Sequence, residues 1–322
     1  MAASPKCFAA LTAAACLALN AHAAPDYPLR PVRMIVLFPP GGSDTVARML
    51  GQKLAERLGQ PFVIDNRPGA AGVIGADIVA KSPADGYTLL FATASFAIAA
   101  GFERKLPYDP IGDFSAIGFV ASVPFLLLAH PSVAANSVPE LLALAKARPD
   151  QLNAASAGTG GAGHLATELF RSMSGARITH IPYKGTGPAL TAVLGGEAQL
   201  MFASIGAGLP QARAGKLRAL AVSSARRSSL APELPTVAES GVPGYDAITW
   251  YGVLAPRATP PAIIGILNRE IVAVLGTAEF RARLAALGIE PTASTPQEFA
   301  DYLKADIAKW ARAIKEAGVT LN

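Results

Sequence analysis

The sequence predicts an α/β protein made of two similar units, each a parallel sheet covered by helices on both faces, with a hinge of two crossing strands between them. Three observations predict it. Apolar strand-like runs alternate with helical patterns twice over, an order that lays parallel strands side by side under covering helices. A glycine-rich turn follows a strand and precedes a helix in each unit, at residues 38–44 (FPPGGSD) and 156–164 (SAGTGGAGH). An apolar, aromatic segment at residues 247–254 then leads into C-terminal helices, so the chain crosses from the first unit to the second and back.

In the first unit, residues 25–33 are irregular and proline-rich, and residues 32–38 form a strand. A helix follows over 44–58, where Val46, Leu50, Leu54 and Leu58 recur at fourfold spacing on one face and Gly59 is the stop. Residues 62–65 are a second strand. The run Pro68-Gly69-Ala70-Ala71-Gly72 turns into a short helix ending near Lys81. Asp85-Gly86 is a turn signal before a third strand at 87–92. Residues 106–114 (LPYDPIGDF) are a loop. Two extended segments, 115–120 and 124–129, are separated by Ser122 and Val123, where the first crossing is placed.

The second unit opens on the capping box Ser137-Val138-Pro139-Glu140, with a helix to about Arg148. A strand at 152–157, the second glycine turn, a helix at 164–173 and a strand at 178–181 follow. Pro182-Tyr183-Lys184-Gly185 then turns into a helix at 188–194, and strands follow at 199–202 and 217–222. After the return crossing, Thr259 as N-cap and Pro260 at the first helical position start a helix to about Leu275. A helix at 277–287 follows. Thr295 and Glu298 form a second capping box, opening a last helix with Phe299, Leu303, Ile307, Trp310 and Ile314 on one face. The expected organisation is one lobe from 24–122 and 252–322, and a second from 123–251.

At 322 residues, with 51% hydrophobic residues and a mean hydropathy of +0.35, the chain buries a sizeable core. Residues 1–23 read as a secretory signal peptide: one cation, Lys6, an apolar run too short to span a membrane, and Ala21-His22-Ala23 as the cleavage pattern. Both cysteines, Cys7 and Cys16, fall inside it, so the exported chain is expected to hold no disulfide, cysteine–zinc site or cysteine nucleophile. A rival reading makes Cys16 a lipidated N-terminus, but Ala13-Ala14-Ala15 lacks the bulky aliphatic residue such signals carry. Without Lys6 the chain has 27 basic and 23 acidic residues. These charges are scattered, which argues against nucleic acid and leaves a weak field that gathers anions.

The two glycine turns carry the chemistry. A helix N-terminus offers free N–H groups and the positive end of the macrodipole, so a turn without side chains lets an anion approach closely. The bland alternative at each is a turn that only joins strand to helix. In the first turn Ser43 or Asp44 reads as the N-cap. In the second, Gly158, Gly160 and Gly163 match the dinucleotide pattern in form. The acid that should follow about 20 residues on to hold a ribose is missing, because residues 178–184 offer His180 and Lys184 instead. No cofactor is expected. His164 has no metal-ligand spacing around it, and Glu168 four residues on predicts a helix-surface pair. No G-x-S-x-G elbow is present, so serine hydrolysis lacks its anchor. Lys184 could supply a cation to the cleft or lie on the surface.

Several further stretches carry a family resemblance: Asn66-Arg67-Pro68-Gly69, Ala84-Asp85-Gly86-Tyr87-Thr88-Leu89, Leu106-Pro107-Tyr108-Asp109-Pro110, Pro182-Tyr183-Lys184-Gly185, Leu220-Ala221-Val222 and Leu234-Pro235-Thr236-Val237. With the two glycine turns they run in order over the whole exported chain, which resembles a Bug-type periplasmic receptor of the tripartite tricarboxylate transporter system. The resemblance implies a two-lobed, type II periplasmic-binding (Venus flytrap) fold. It implies a small organic carboxylate held by one glycine turn from each lobe, often through water, with no catalysis. Two integral-membrane partner subunits, a monomeric receptor and the periplasm of a Gram-negative bacterium come with it. The candidate ligand-binding residues are then Phe38, Pro40, Gly41, Gly42, Ser43 and Asp44 in the first turn, Ser95, and Ser156, Gly158, Thr159, Gly160, Gly161 and His164 in the second. Tyr183, Lys184, Ala203 and Ser204 complete the set.

Two departures bear on the ligand. The family commonly has two residues between the paired glycines and the aspartate, where this chain has Ser43 alone. The family often carries an acid after the Met-Phe pair, where Met201-Phe202 is followed here by Ala203. Without that acid a ligand ammonium loses its partner, which favours an uncharged body, aliphatic or aromatic, with one or two carboxylates. The competing functions are a sensory subunit with the same pocket and an exported hydrolase using His164.

Overall fold

The computed structural model describes residues 26–102 and 105–319. The expected signal peptide, with both cysteines, lies outside the described residues. Strand β1 (Val32–Val36) leads into helix α1 (Gly42–Leu58), and β2 (Phe62–Asn66) into a 3-10 turn (Ala70–Gly72) and α2 (Val73–Ala80). Then come β3 (Thr88–Thr93), α3 (Ala94–Gly101) and the long strand β4 (Phe114–Ala129). The second half holds α4 (Val138–Ala147), β5 (Leu152–Ser156), α5 (Ala162–Ser174), β6 (Ile178–Pro182), α6 (Thr186–Leu194), β7 (Leu200–Ser204), α7 (Ile205–Arg213) and β8 (Arg218–Val222). Strand β9 (Ile248–Pro256) returns, followed by α8 (Pro261–Leu275), α9 (Ala278–Ala286), β10 (Glu290–Pro291) and α10 (Pro296–Ala317).

The strands form one sheet in the order β2-β1-β3-β9-β4-β7-β5-β6, with β8 and β10 also on β4. Within each half the pairing is parallel: β2 and β3 flank β1, and β6 and β7 flank β5. The two crossing strands are antiparallel to these neighbours and to each other, so the sheet is mixed where the sequence predicts a parallel one. The reason is direction: β4 leaves the first half and β9 re-enters it, and the two hydrogen-bond along Phe114–Pro124. The two-lobed fold is thus hinged on a two-stranded ribbon.

β4 is one strand of 16 residues, not two segments with a break at Ser122 and Val123. Ser122 pairs with Trp250 and Val123 with Thr249 in unbroken register, and the Ser122 hydroxyl is 3.0 Å from that of Thr292. The polar residue that suggests a break is satisfied across the sheet. Two helices, α3 and α7, occupy stretches the sequence leaves without structure. α3 is apolar on every side and gives no 3.6-residue signal, and α7 contains Gly206, Gly208 and Pro210.

The capping expectations divide. Ser137 accepts from the Glu140 N–H, but the Glu140 carboxylate accepts from Asn136 and not from Ser137, so only half of that capping box forms, whereas Thr295 with Glu298 forms both halves. The cap of α8, however, is Pro260, not Thr259, which is buried. The cap of α1 is Gly41, not Ser43 or Asp44, because the helix starts two residues earlier than the polar residues indicate.

Helix α10 seals the core over the ribbon. Phe299, Leu303, Trp310 and Ile314 are buried, with Ile307 at the edge of that face. Trp250 of β9 packs edge-on to Phe299, and its indole N–H donates to the buried Asp306 at 2.8 Å. Asp306 is balanced by Lys309 at 2.7 Å. Gly252 lies directly under the Phe299 ring, where any Cβ would collide with it.

Candidate functional site

A cavity of about 440 Å³ opens beside the ribbon, and both halves line it. Phe38 and Ser43 come from the first glycine turn, and Thr159, Gly160, Gly161 and Ala162 from the second. β9 adds Thr249 and Tyr251, two residues apart and therefore on one face of the strand. The start of α3 adds Thr93 and Ser95; Ala71, Ile98, Ala99 and Phe102 complete the wall.

Three helices thus begin at this cavity. α1 and α5 are capped by Gly41 and Gly161 and have no side-chain cap, so no side chain occupies their first-turn N–H groups. The third, α3, is capped by Thr93, whose hydroxyl accepts from the Ser95 N–H and lies 2.7 Å from the Ser95 hydroxyl. Six residues of the wall carry hydroxyls: Ser43, Thr93, Ser95, Thr159, Thr249 and Tyr251. Burial raises the Tyr251 phenol above its usual range, which keeps it a neutral donor. No charged side chain lines the wall among the described residues. Neutral donors around converging helix N-termini can hold an anion without a counter-charge.

Asp44 is removed from that field. It sits on the third residue of α1, buried, and accepts from Arg48 Nε at 2.9 Å. Arg48 also donates to Asn66 Oδ1 at 3.2 Å, while the Asn66 amide donates to the Phe38 carbonyl at 2.8 Å. The opposite wall contains a strained run: φ is 131° at Gly69, 48° at Ala70, 57° at Ala71 and 97° at Gly72. Two consecutive alanines in the left-handed region cost about 1–2 kcal/mol each. That strain sets Ala71 on the cavity wall, the kind of backbone cost found at binding sites.

Of the sequence-predicted residues, Phe38, Ser43, Ser95, Thr159, Gly160 and Gly161 line this cavity. Gly42 stands behind the wall, where an added Cβ would lie 3.7 Å from the Tyr251 hydroxyl. Pro40, Gly41, Gly158, Tyr183 and Ser204 are not on the wall, and Lys184 is exposed away from it. Ala203 is buried on the α7 side of β7, 3.5 Å from where Gly208 would carry a Cβ, so its side chain does not reach the cavity. Thr249 and Tyr251 were not foreseen. Their signal in the sequence is two hydroxyl residues with strand periodicity inside the apolar return crossing.

Behind the second turn, Ser156, His164 and His180 form a support instead of a wall. His164 Nδ1 accepts from the Gly160 N–H at 3.0 Å, and its ring stacks on His180 at 3.7 Å. His180 Nε2 is 2.6 Å from the Ser156 hydroxyl, which in turn accepts from the Gly158 N–H. The His164–Glu168 pair, predicted for the helix surface, is buried, with His164 Nε2 3.5 Å from the carboxylate. Burial alone would raise the Glu168 carboxyl, but hydrogen bonds from His164 and Arg171 hold it below the usual range. Burial, with His164 alongside, pushes His180 down to about 4.

The family model "Tripartite tricarboxylate transporter family receptor" matches residues 46–319. BugT of Bordetella pertussis is 42% identical over 302 residues, covering 93% of each chain. The structure of Rpa4515 from R. palustris with adipate is similar at 40% identity and a TM-score of 0.74, over 91% of this chain and 99% of that one. MatC from Rhodopseudomonas palustris with bound malate is 32% identical with a TM-score of 0.70, over 89% of this chain and all of that one, 100%. These relatives are receptors and not enzymes, and this chain belongs to the family of tripartite tricarboxylate transporter receptors.

Proposed function

We propose that this receptor binds a small organic carboxylate in the cavity beside the β4–β9 ribbon and delivers it to two integral-membrane transporter subunits. The observation that carries the reading is the cavity wall: six hydroxyl-bearing residues and two helix N-termini without side-chain caps converge there, with no charged side chain among the described residues. The bound adipate and malate of two relatives support the same class of ligand. The lobes are residues 24–122 with 252–322, and 123–251, so both boundaries fall within the ribbon strands. Closure about the ribbon brings the turn of each half onto one ligand. The receptor works as a monomer in the periplasm of a Gram-negative bacterium.

A thermal-shift series tests this. A bound ligand at ~100 times its dissociation constant adds about 2.7 kcal/mol of stability. Stabilisation is expected from organic acids and not from neutral sugars. The reverse pattern refutes the reading.

A further inference from the structure

The cavity changes character along α3. Ser95, Ile98 and Ala99 line it at the spacing i, i+3, i+4 that puts them on one helix face, and Phe102, the extended residue that ends the helix, lines it too. Seven residues at 1.5 Å rise span about 10 Å. At one end of this face stand Thr93 and Ser95, at the start of α3. Towards the other end stand Ile98, Ala99 and Phe102, all buried and apolar, with Ile98 and Phe102 in the main core. Phe38, Ala71 and Ala162 extend the apolar lining.

Resting on the carboxylate reading above, we infer that the ligand is a monocarboxylate with an apolar body, an alkanoate or aryl-alkanoate, and not a dicarboxylate. One carboxylate is served by the hydroxyls and helix N-termini. A second, set a chain length away along α3, meets Ile98, Ala99 and Phe102, which offer no side-chain donor, and would be desolvated without a partner. An apolar chain on the same face gains instead about fourfold in affinity for each methylene removed from water. The cavity of about 440 Å³ has room for such a chain. Ligand choice in this receptor is therefore set by a helix face and not by a charged residue. The adipate of Rpa4515 and the malate of MatC each carry two carboxylates, so this chain departs from both in specificity while sharing their fold.

Calorimetric titration of the exported chain with butanoate, hexanoate, octanoate, 3-phenylpropanoate and adipate tests the inference. Hexanoate and adipate have the same six-carbon chain and differ in the second carboxylate. Hexanoate is expected to bind at least tenfold tighter than adipate, with affinity rising from butanoate to octanoate. Adipate binding as tightly as hexanoate, or tighter, overturns the inference and leaves the carboxylate reading intact. Failure of every acid to bind overturns both. Ile98→Lys places a cation at the apolar end and is expected to shift the hexanoate-to-adipate ratio towards adipate by tenfold or more. A folded Ile98→Lys protein with the parent ratio also overturns the inference.

Discussion

The two glycine turns serve one cavity but are held by different physics. The first, Phe38 to Asp44, contains no residue with a left-handed φ. Its shape comes from neighbours: the Asn66 amide on the Phe38 carbonyl, the Thr45 hydroxyl on the Gly41 carbonyl, and the Asp44–Arg48 pair. The second turn needs glycine for its backbone, with φ of 142° at Gly158 and 76° at Gly160. It is braced from behind by the stacked His164 and His180. One turn is therefore sensitive to what stands in front of it, and the other to backbone strain and proton uptake.

The largest expected effect breaks the second turn. Gly160→Val forces a β-branched residue into the left-handed region, costing roughly 1–3 kcal/mol. Carboxylate affinity measured by calorimetry should fall about 10- to 100-fold. In the first turn, Gly42→Val acts only by crowding the Tyr251 hydroxyl, which already lies 3.7 Å from an added Cβ. A loss of about tenfold is expected, with Gly42→Ala within about threefold of the parent, since that distance is ordinary contact. Parent affinity in Gly42→Val would mean that the first turn takes no part in binding.

The smallest effect separates the turns by pH. His180 is neutral in the fold, with its pKa depressed from 6.5 to about 4. The unfolded chain therefore binds the extra proton first. The contribution of His180 to stability is complete above about pH 6.5 and declines as the pH falls towards 4. Melting temperatures recorded from pH 7 to pH 4.5 should fall less steeply in His180→Gln than in the parent. Equal slopes would show that the histidine stack does not sense protons.

Much of this arrangement is legible in the chain because it is local. Both strand-glycine-helix junctions need free N–H groups and the second also needs left-handed φ values, and glycine announces both. The Ser137 cap, the capping box at Thr295 and the α10 face are equally local. The residues that escape notice owe their positions to distant partners. Thr249 and Tyr251 read as part of an apolar crossing until β9 lies beside the start of α3. α3 gives no periodic signal because its cavity face is as apolar, apart from Ser95, as the faces it packs against the core and α10. Lys184 reads equally as a cleft cation or a surface lysine, and the structure leaves it in solvent, just before the turn at Gly185 with φ of 112°.

The sequence by itself determined the two-unit α/β order and the two glycine turns, since each rests on short-range backbone chemistry, and the order of its motifs carried the family resemblance. Only the tertiary structure decided that Gly41, not a polar residue, caps α1, that Ala203 faces the core, and that α3 contributes one polar end and one apolar end to the cavity wall. Those outcomes depend on which side chains meet across the β4–β9 ribbon, and long-range packing carries no local signature in the chain.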